Sequence, residues 1–135
     1  MAEKKIAIVP GDGIGVDVTR EAEKVIKCLG EVSGVAFRLE HYDYSADRYL
    51  KTGVTMPPGA LDEFRSFDAI FMGAFGDPRV PDMRHAAEIL LGTRFGLDLY
   101  INHRPGRRAG ATTAKSKPQY PNVFPMAQPL LHDRA

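Results

Sequence analysis

A glycine-rich segment, residues 10–15, separates a short apolar run from an amphipathic stretch. The apolar run, residues 5–9, includes β-branched residues and is typical of a strand buried on both faces of a parallel sheet. The stretch that follows, residues 15–30, predicts a helix with one apolar stripe formed by Val18, Ala22, Val25, Ile26 and Leu29. Strand, tight turn and helix in this order are the opening of a right-handed parallel α/β unit.

The same alternation continues along the chain. An alternating strand is predicted over residues 35–42 and a second apolar strand over residues 67–72, with a short helix over residues 59–65 between them. A further helix is predicted over residues 82–95 and a last strand over residues 97–101. The expected fold class is therefore α/β with a parallel sheet.

The composition changes near Arg104. Residues 1–103 hold 12 Lys and Arg against 16 Asp and Glu, whereas residues 104–135 hold six against one, together with five of the ten prolines. Proline removes a hydrogen-bond donor and interrupts helices and central strands. We therefore divide the chain into residues 1–104 and a basic, Pro-rich tail, residues 105–135. That tail is expected to be irregular, either disordered or read from a shifted frame.

Several classes of protein are disfavoured by composition. The net charge of +1 gives no general preference for nucleic acid. A single cysteine, Cys28, excludes an internal disulfide and favours a reducing compartment. The longest apolar run, residues 69–75, is far shorter than the ~20 residues of a membrane span. We expect a soluble, cytoplasmic chain without a membrane segment.

The glycine-rich segment allows two interpretations. Its backbone N–H groups and the following helix N-terminus suit an anion, but the glycines serve equally well for a tight turn alone. The spacing is G-x-G-x-G, and Val16 occupies the position of the third glycine in the dinucleotide fingerprint. Asp12 is expected to stabilise this turn. The four histidines, among them His41 and His85, lack metal-ligand spacing and are interpreted as ordinary polar residues.

Three segments carry a resemblance to a known family: residues 6–15, residues 68–78 and residues 94–105. In this order they are similar to the β-decarboxylating dehydrogenases, which include the isocitrate and 3-isopropylmalate dehydrogenases. The resemblance covers residues 4–105 and implies an isopropylmalate-dehydrogenase-like fold of which only the N-terminal part is present. It also implies oxidation and decarboxylation of a 2-hydroxy di- or tricarboxylic acid with NAD and Mg²⁺ or Mn²⁺, in a homodimer.

The resemblance implies substrate contacts for four residues. Arg94 and Arg104 would hold the carboxylates of the hydroxy acid, because a planar guanidinium binds a carboxylate through two parallel hydrogen bonds. Leu90 and Leu91 would receive an alkyl group, which favours an alkyl-malate or tartrate type over isocitrate. Ala87 departs from the isopropylmalate branch, which has a glutamate here. The alternatives are solvated surface arginines and leucines that only pack the core.

For the cofactor, the resemblance implies contacts with Ile14, Gly73 and Ala74. The alternative for Ile14 is packing beneath the turn. The catalytic tyrosine and lysine and the metal-binding aspartates of the family have no counterpart in the matched residues. We therefore expect no catalytic residue and no metal ligand in this chain, and no activity for the chain alone.

Two other classes of function remain open. The basic tail would let a non-catalytic binding module grip an anionic partner, although only Tyr120 and Phe124 supply aromatic rings there and nucleic acid is disfavoured. The chain would also serve as a regulatory partner if it docks onto a full-length dehydrogenase subunit.

Overall fold

The computed structural model describes residues 3–101, which form three strands and four helices. In chain order these are β1 (Glu3–Gly11), α1 (Ile14–Ser33), β2 (Ala36–His41), α2 (Ala46–Thr52), α3 (Ala60–Phe64), β3 (Ala69–Ala74) and α4 (Arg84–Gly96). The chain divides into two units, Met1–Leu97 and Asp98–Ala135, and all seven elements lie in the first. The predicted tail, residues 105–135, lies outside the described residues.

The three strands form one parallel sheet in the order β2-β1-β3. Ile6 of β1 is aligned with Leu39 of β2 on one side and with Ala69 of β3 on the other. The chain leaves β1 in one direction through α1 to β2, and β3 is added later on the opposite side. The predicted parallel α/β architecture is therefore confirmed, and β1 is its central strand.

Both faces of β1 are buried, as its apolar sequence predicts. Successive side chains of a strand point to opposite faces. Ala7 and Val9 share one face and belong to a core with Tyr44, Phe64 and Ile89, among others. Ile8, which points the other way, is also fully buried.

Helix α1 is longer than predicted, and only part of its apolar surface is buried. Ala22 and Ile26 are half-buried, whereas Val18, Val25 and Leu29 leave 52%, 67% and 52% of their surface exposed. The prediction of a single buried stripe is therefore wrong in part, because helical spacing does not tell which apolar side faces the sheet. The helix ends at Gly34, whose left-handed φ of 69° lets its N–H donate to the Gly30 carbonyl.

Two further predictions differ from the structure. The strand expected over residues 97–101 does not form, because the chain turns after α4 and Asp98 has a left-handed φ of 56°. Helix α2 was not predicted. Its N-cap is Ser45, whose hydroxyl oxygen accepts a hydrogen bond from the Arg48 N–H at 3.3 Å.

No helix within residues 3–101 combines the length and the apolar character that crossing a lipid bilayer requires.

Candidate functional site

Glycines pack the end of β1, the start of α1 and the end of β3 against one another. We call this contact, formed by Gly11, Gly15 and Gly73, the glycine crossing. A Cβ at Gly11 or Gly15 would overlap the Ala74 carbonyl, and one at Gly73 would overlap the Pro10 carbonyl. Gly11 also has a left-handed φ of 79°. Geometry therefore accounts for the glycines at 11 and 15, and the same contacts require a third glycine at the end of β3.

The Asp12 carboxylate is the centre of a buried hydrogen-bond cluster. One oxygen accepts from the Ala46 N–H at 2.6 Å, and the other accepts from the Gly76 N–H at 2.9 Å and from His85 Nε2 at 2.7 Å. Burial alone would raise the pKa of Asp12, but the hydrogen bonds from Ala46, His85 and Gly76 together hold this pKa below its usual value. The carboxylate thus joins the β1–α1 turn, the start of α2, the loop after β3 and helix α4.

His85 was interpreted from the sequence as an ordinary polar residue, but the structure buries it completely. Its ring lies nearly parallel to that of Tyr49, with centroids 6.0 Å apart and planes 19° apart. Nδ1 has no hydrogen-bond partner within residues 3–101. The spacing of His85, Ile89 and Thr93 on the buried face of α4 indicates burial, but a single sequence gives no sign of the Asp12 partner 73 residues away.

A cleft of about 600 Å³ opens at the carboxyl ends of the three strands. It lies beside the central strand β1, where the chain continues to β2 on one side and β3 on the other. This is the position at which open α/β sheets bind ligands. Segments that follow all three strands line it: Pro10, Gly11, Asp12, Gly13, Val16, His41, Tyr42, Asp43, Ser45, Asp47, Asp77 and Arg79.

An exposed cluster of charges forms one wall of the cleft. The Arg79 guanidinium donates to Asp77 at 2.6 Å and to Asp47 at 2.7 Å. Hydrogen bonds from the Arg79 side chain and backbone lower the pKa of Asp77 to about 2. The two carboxylates in turn raise the pKa of Arg79. The two carboxylates bind Nε and Nη2 of the guanidinium, and Nη1 takes no part in these bonds.

The three predicted cofactor residues lie at the glycine crossing. Ile14 is 70% exposed in the first turn of α1, and its neighbour Gly15 packs on the Ala74 backbone. Gly73 lies against the carbonyls of Pro10 and Gly15. Ile14 does not pack beneath the turn, so the alternative considered for this side chain is wrong.

The predicted substrate residues lie elsewhere, on the outer side of α4. Leu90 and Leu91 are 41% and 47% exposed, and Arg94 is half-buried in the last turn of the helix. Leu90 and Arg94 share one face because they are four residues apart. None of the three lines the cleft at the strand ends. Arg104, the fourth predicted residue, lies outside the described residues.

Within residues 3–101 no three His, Cys, Asp or Glu side chains lie together in a way that could hold a metal ion.

Comparison with known proteins decides the family. The model of the isocitrate/isopropylmalate dehydrogenase family matches residues 5–126, most of the chain. The chain belongs to this family. The match continues beyond residue 105, at which the motif resemblance ends.

Individual members of the isocitrate/isopropylmalate dehydrogenase family agree with this. The 3-isopropylmalate dehydrogenase of Nocardia farcinica is 47% identical over 103 residues, which are 76% of this chain and 30% of that protein. The corresponding enzyme of Bifidobacterium longum is 41% identical over 116 residues, 84% of this chain and 33% of that protein. The probable tartrate dehydrogenase/decarboxylase of Bacillus subtilis is 38% identical over 126 residues, 92% of this chain and 35% of that protein.

A solved structure supports the fold. The crystal structure of a β-decarboxylating dehydrogenase from Thermococcus kodakarensis matches with a TM-score of 0.56 and 31% identity. The match covers 72% of this chain and 27% of that one. The chain thus has the fold of the N-terminal part of the family, and it spans about a third of the length of its curated relatives.

Proposed function

We propose that this chain supplies the N-terminal part of an NAD-dependent dehydrogenase that oxidises and decarboxylates a 2-hydroxy di- or tricarboxylic acid. The observation that carries the proposal is the glycine crossing, which unites two of the three family-like segments in one place. The similarity to 3-isopropylmalate and tartrate dehydrogenases favours a malate-type substrate with a substituent. The active unit would be a homodimer, as in the family.

The residues at the crossing fit one side of a nicotinamide cofactor. Ile14 exposes 70% of its surface directly before Gly15, and Gly15 packs on the backbone of Ala74. Pockets for cofactors are commonly apolar and placed at such a position in the sheet. The bound cofactor would accept a hydride from the substrate. The role proposed for these residues is to hold and orient it.

The residues of α4 would bind the substrate. Arg94, together with Arg104, would hold carboxylates through paired charge-assisted hydrogen bonds, which fix orientation as well as charge. Leu90 and Leu91 would surround the alkyl substituent and exclude water from it. Because Arg94 lies in the last turn of α4, its position follows from how that helix is held.

A divalent metal does not fit the described residues, which offer no cluster of ligands for it. The ligands of the family's metal and the groups that move protons would therefore lie in the remaining two thirds of a family chain. For this reason we propose that residues 1–135 alone do not turn over substrate.

A chimera tests the proposed function. Residues 1–101 of this chain replace the aligned segment of the Bifidobacterium longum 3-isopropylmalate dehydrogenase, and NADH formation is measured with 3-isopropylmalate, tartrate or malate and Mg²⁺ or Mn²⁺. We expect activity from the folded chimera with at least one of these acids and none from the 135-residue chain. A folded but inactive chimera, or activity in the chain alone, contradicts the proposal.

A further inference from the structure

We propose that Asp12 and His85 form a positioning pair that fixes helix α4 relative to the glycine turn. This inference rests on the proposed function, since the turn precedes the proposed cofactor residue Ile14 and α4 carries the proposed substrate residues. Neither Asp12 nor His85 would touch the reacting atoms. They would act by holding the two binding elements at a fixed separation.

The bond between the two side chains is short and shielded from water. His85 Nε2 lies 2.7 Å from Asp12 Oδ2, and the side chains are 0% and 3% exposed. Because a carboxylate only accepts hydrogen bonds, the proton lies on Nε2. A hydrogen bond to a charged acceptor is stronger than a neutral one, and its strength increases in a buried site.

The imidazole has few other polar restraints. Nδ1 is buried without a hydrogen-bond partner in the part of the chain that the structure describes. The ring also stacks on the nearly parallel Tyr49 ring of α2, a contact that supplies no hydrogen bond. The direction of the imidazole, and with it the first turn of α4, therefore depends on Asp12.

Asp12 in turn is held from several sides. Its carboxylate accepts from the N–H groups of Ala46 and Gly76, and its own N–H donates to the Ala74 carbonyl at 2.8 Å. These backbone groups belong to the start of α2 and to the segment that ends β3. A carboxylate fixed by so many groups is a rigid reference point for the helix that binds to it.

The start of α4 has no side-chain cap of its own and must be held by other contacts. Met83, directly before the helix, has a left-handed φ of 53° and gives no side-chain cap. A non-glycine residue in this conformation persists where its surroundings hold it. His85 lies two residues later and supplies the anchor. Ile89, buried in the core one turn further on, is the second fixed point of the helix that leads to Leu90 and Arg94.

The test uses the isotope-labelled 135-residue chain and nuclear magnetic resonance. In the wild type the His85 ring is expected to carry its proton on Nε2. In Asp12→Asn, backbone signals of α4 as far as Arg94 are expected to shift, together with those around Ile14. In His85→Gln, whose amide can still donate to Asp12, the α4 signals should stay closer to their wild-type positions than in Asp12→Asn.

The chain offers a matched control. His41 Nε2 makes a similar contact with Glu23, at 2.9 Å, but on the surface. His41→Gln should therefore leave the α4 signals unchanged. A His85 ring protonated only on Nδ1, or α4 signals that do not move in folded Asp12→Asn, would overturn the inference. The ring measurement needs no variant, and no step needs a ligand, so these outcomes are independent of whether the chimera is active.

Discussion

At the scale of single residues, close contact between backbones determines which side chains the site tolerates. Gly73 lies at a point where a methyl group would meet the Pro10 carbonyl and, at 2.7 Å, the Thr19 hydroxyl. The cluster around Asp12 lies directly beside this crossing. Small changes here are therefore expected to affect both stability and the shape of the cleft.

Gly73→Ala should destabilise the chain strongly. Overpacking of a filled site typically costs about 1–3 kcal/mol, and here the overlap is with backbone atoms that cannot rotate away. Gly92→Ala is the matched control, because its Cβ would meet only Met56 Cε at 3.5 Å within a helix. There alanine should be neutral or stabilising by up to about 1 kcal/mol. Urea unfolding of both variants measures the difference, and equal stabilities would contradict the packing described here.

The buried carboxylate predicts a particular sensitivity to acid. Because the folded pKa of Asp12 is below its unfolded value, the pair stabilises the fold above an unfolded pKa of about 3.9. That contribution is lost as the pH falls through the folded pKa. Asp12→Asn should therefore be less stable at pH 7 and lose less further stability on acidification than the wild type.

Urea unfolding between neutral pH and about pH 3 measures this slope. Asp62→Asn, which changes an exposed carboxylate on α3, is the control and should keep the wild-type slope. Identical slopes for Asp12→Asn and the wild type would show that the hydrogen-bond partners of Asp12 do not lower its pKa.

At the scale of elements, sequence patterns predict the strands and helices that local residues determine. They miss elements that residues far away in the chain hold in place. Strand β3 is apolar throughout and β1 is apolar from Ile6 onwards, and the glycines and the proline at their ends mark where they stop. Helix α2 is only seven residues long, and its apolar side chains are Ala46, Tyr49 and Leu50. Its first N–H is held by Asp12 from 34 residues away, which no local pattern records. The false strand at residues 97–101 has suitable side chains, but the backbone turns at Asp98.

The site likewise contains residues that the sequence identifies and residues that only the fold reveals. Motif resemblance assigns Ile14, Gly73 and Ala74 to the cofactor, and the structure packs Gly73 and Ala74 against Gly15, the neighbour of Ile14. Their contact with a cofactor stays a prediction. His85 and Arg79 escape detection because their partners, Asp12 and Asp47, lie 73 and 32 residues away. Contacts of this kind depend on the finished fold, so a single sequence cannot specify them.

The two faces of α1 give an element-scale prediction. Ile26→Ala should destabilise the chain by about 1–2 kcal/mol, because Ile26 is half-buried and large-to-small changes at buried sites cost more. Val25→Ala, one residue earlier, should change the free energy of unfolding by no more than about 0.5 kcal/mol, since this side chain is 67% exposed. Urea unfolding compares the two. A larger loss for Val25→Ala would mean that the outer face is covered.

At the scale of the whole molecule, the chain exposes much apolar surface for its size. Val32 and Val25 on α1 and Phe95 on α4 are 82%, 67% and 74% exposed. Extended apolar patches on a protein surface commonly mark interfaces. The relatives are about three times as long, so the remainder of a family chain is the natural cover for these patches.

The 135-residue chain alone should therefore bind a hydrophobic dye at these exposed side chains and unfold at a lower temperature than a chain in which they are covered. In the chimera with the Bifidobacterium longum enzyme the dye signal per molecule should fall and the midpoint of thermal unfolding should rise. Fluorescence and calorimetry on both proteins provide the comparison. A 135-residue chain that binds no dye and unfolds at the same temperature as the chimera would contradict this view.

The central claim is that α4 binds the acid substrate of a dehydrogenase, and the most direct test is kcat/KM of the chimera carrying Arg94→Lys. Lysine keeps the charge but loses the paired hydrogen bonds, so we predict a fall of about 100-fold, or about 3 kcal/mol. Arg84→Lys, which changes the exposed Arg84–Glu88 pair on the same helix, should have little effect. An Arg94→Lys chimera as active as its parent would contradict the account.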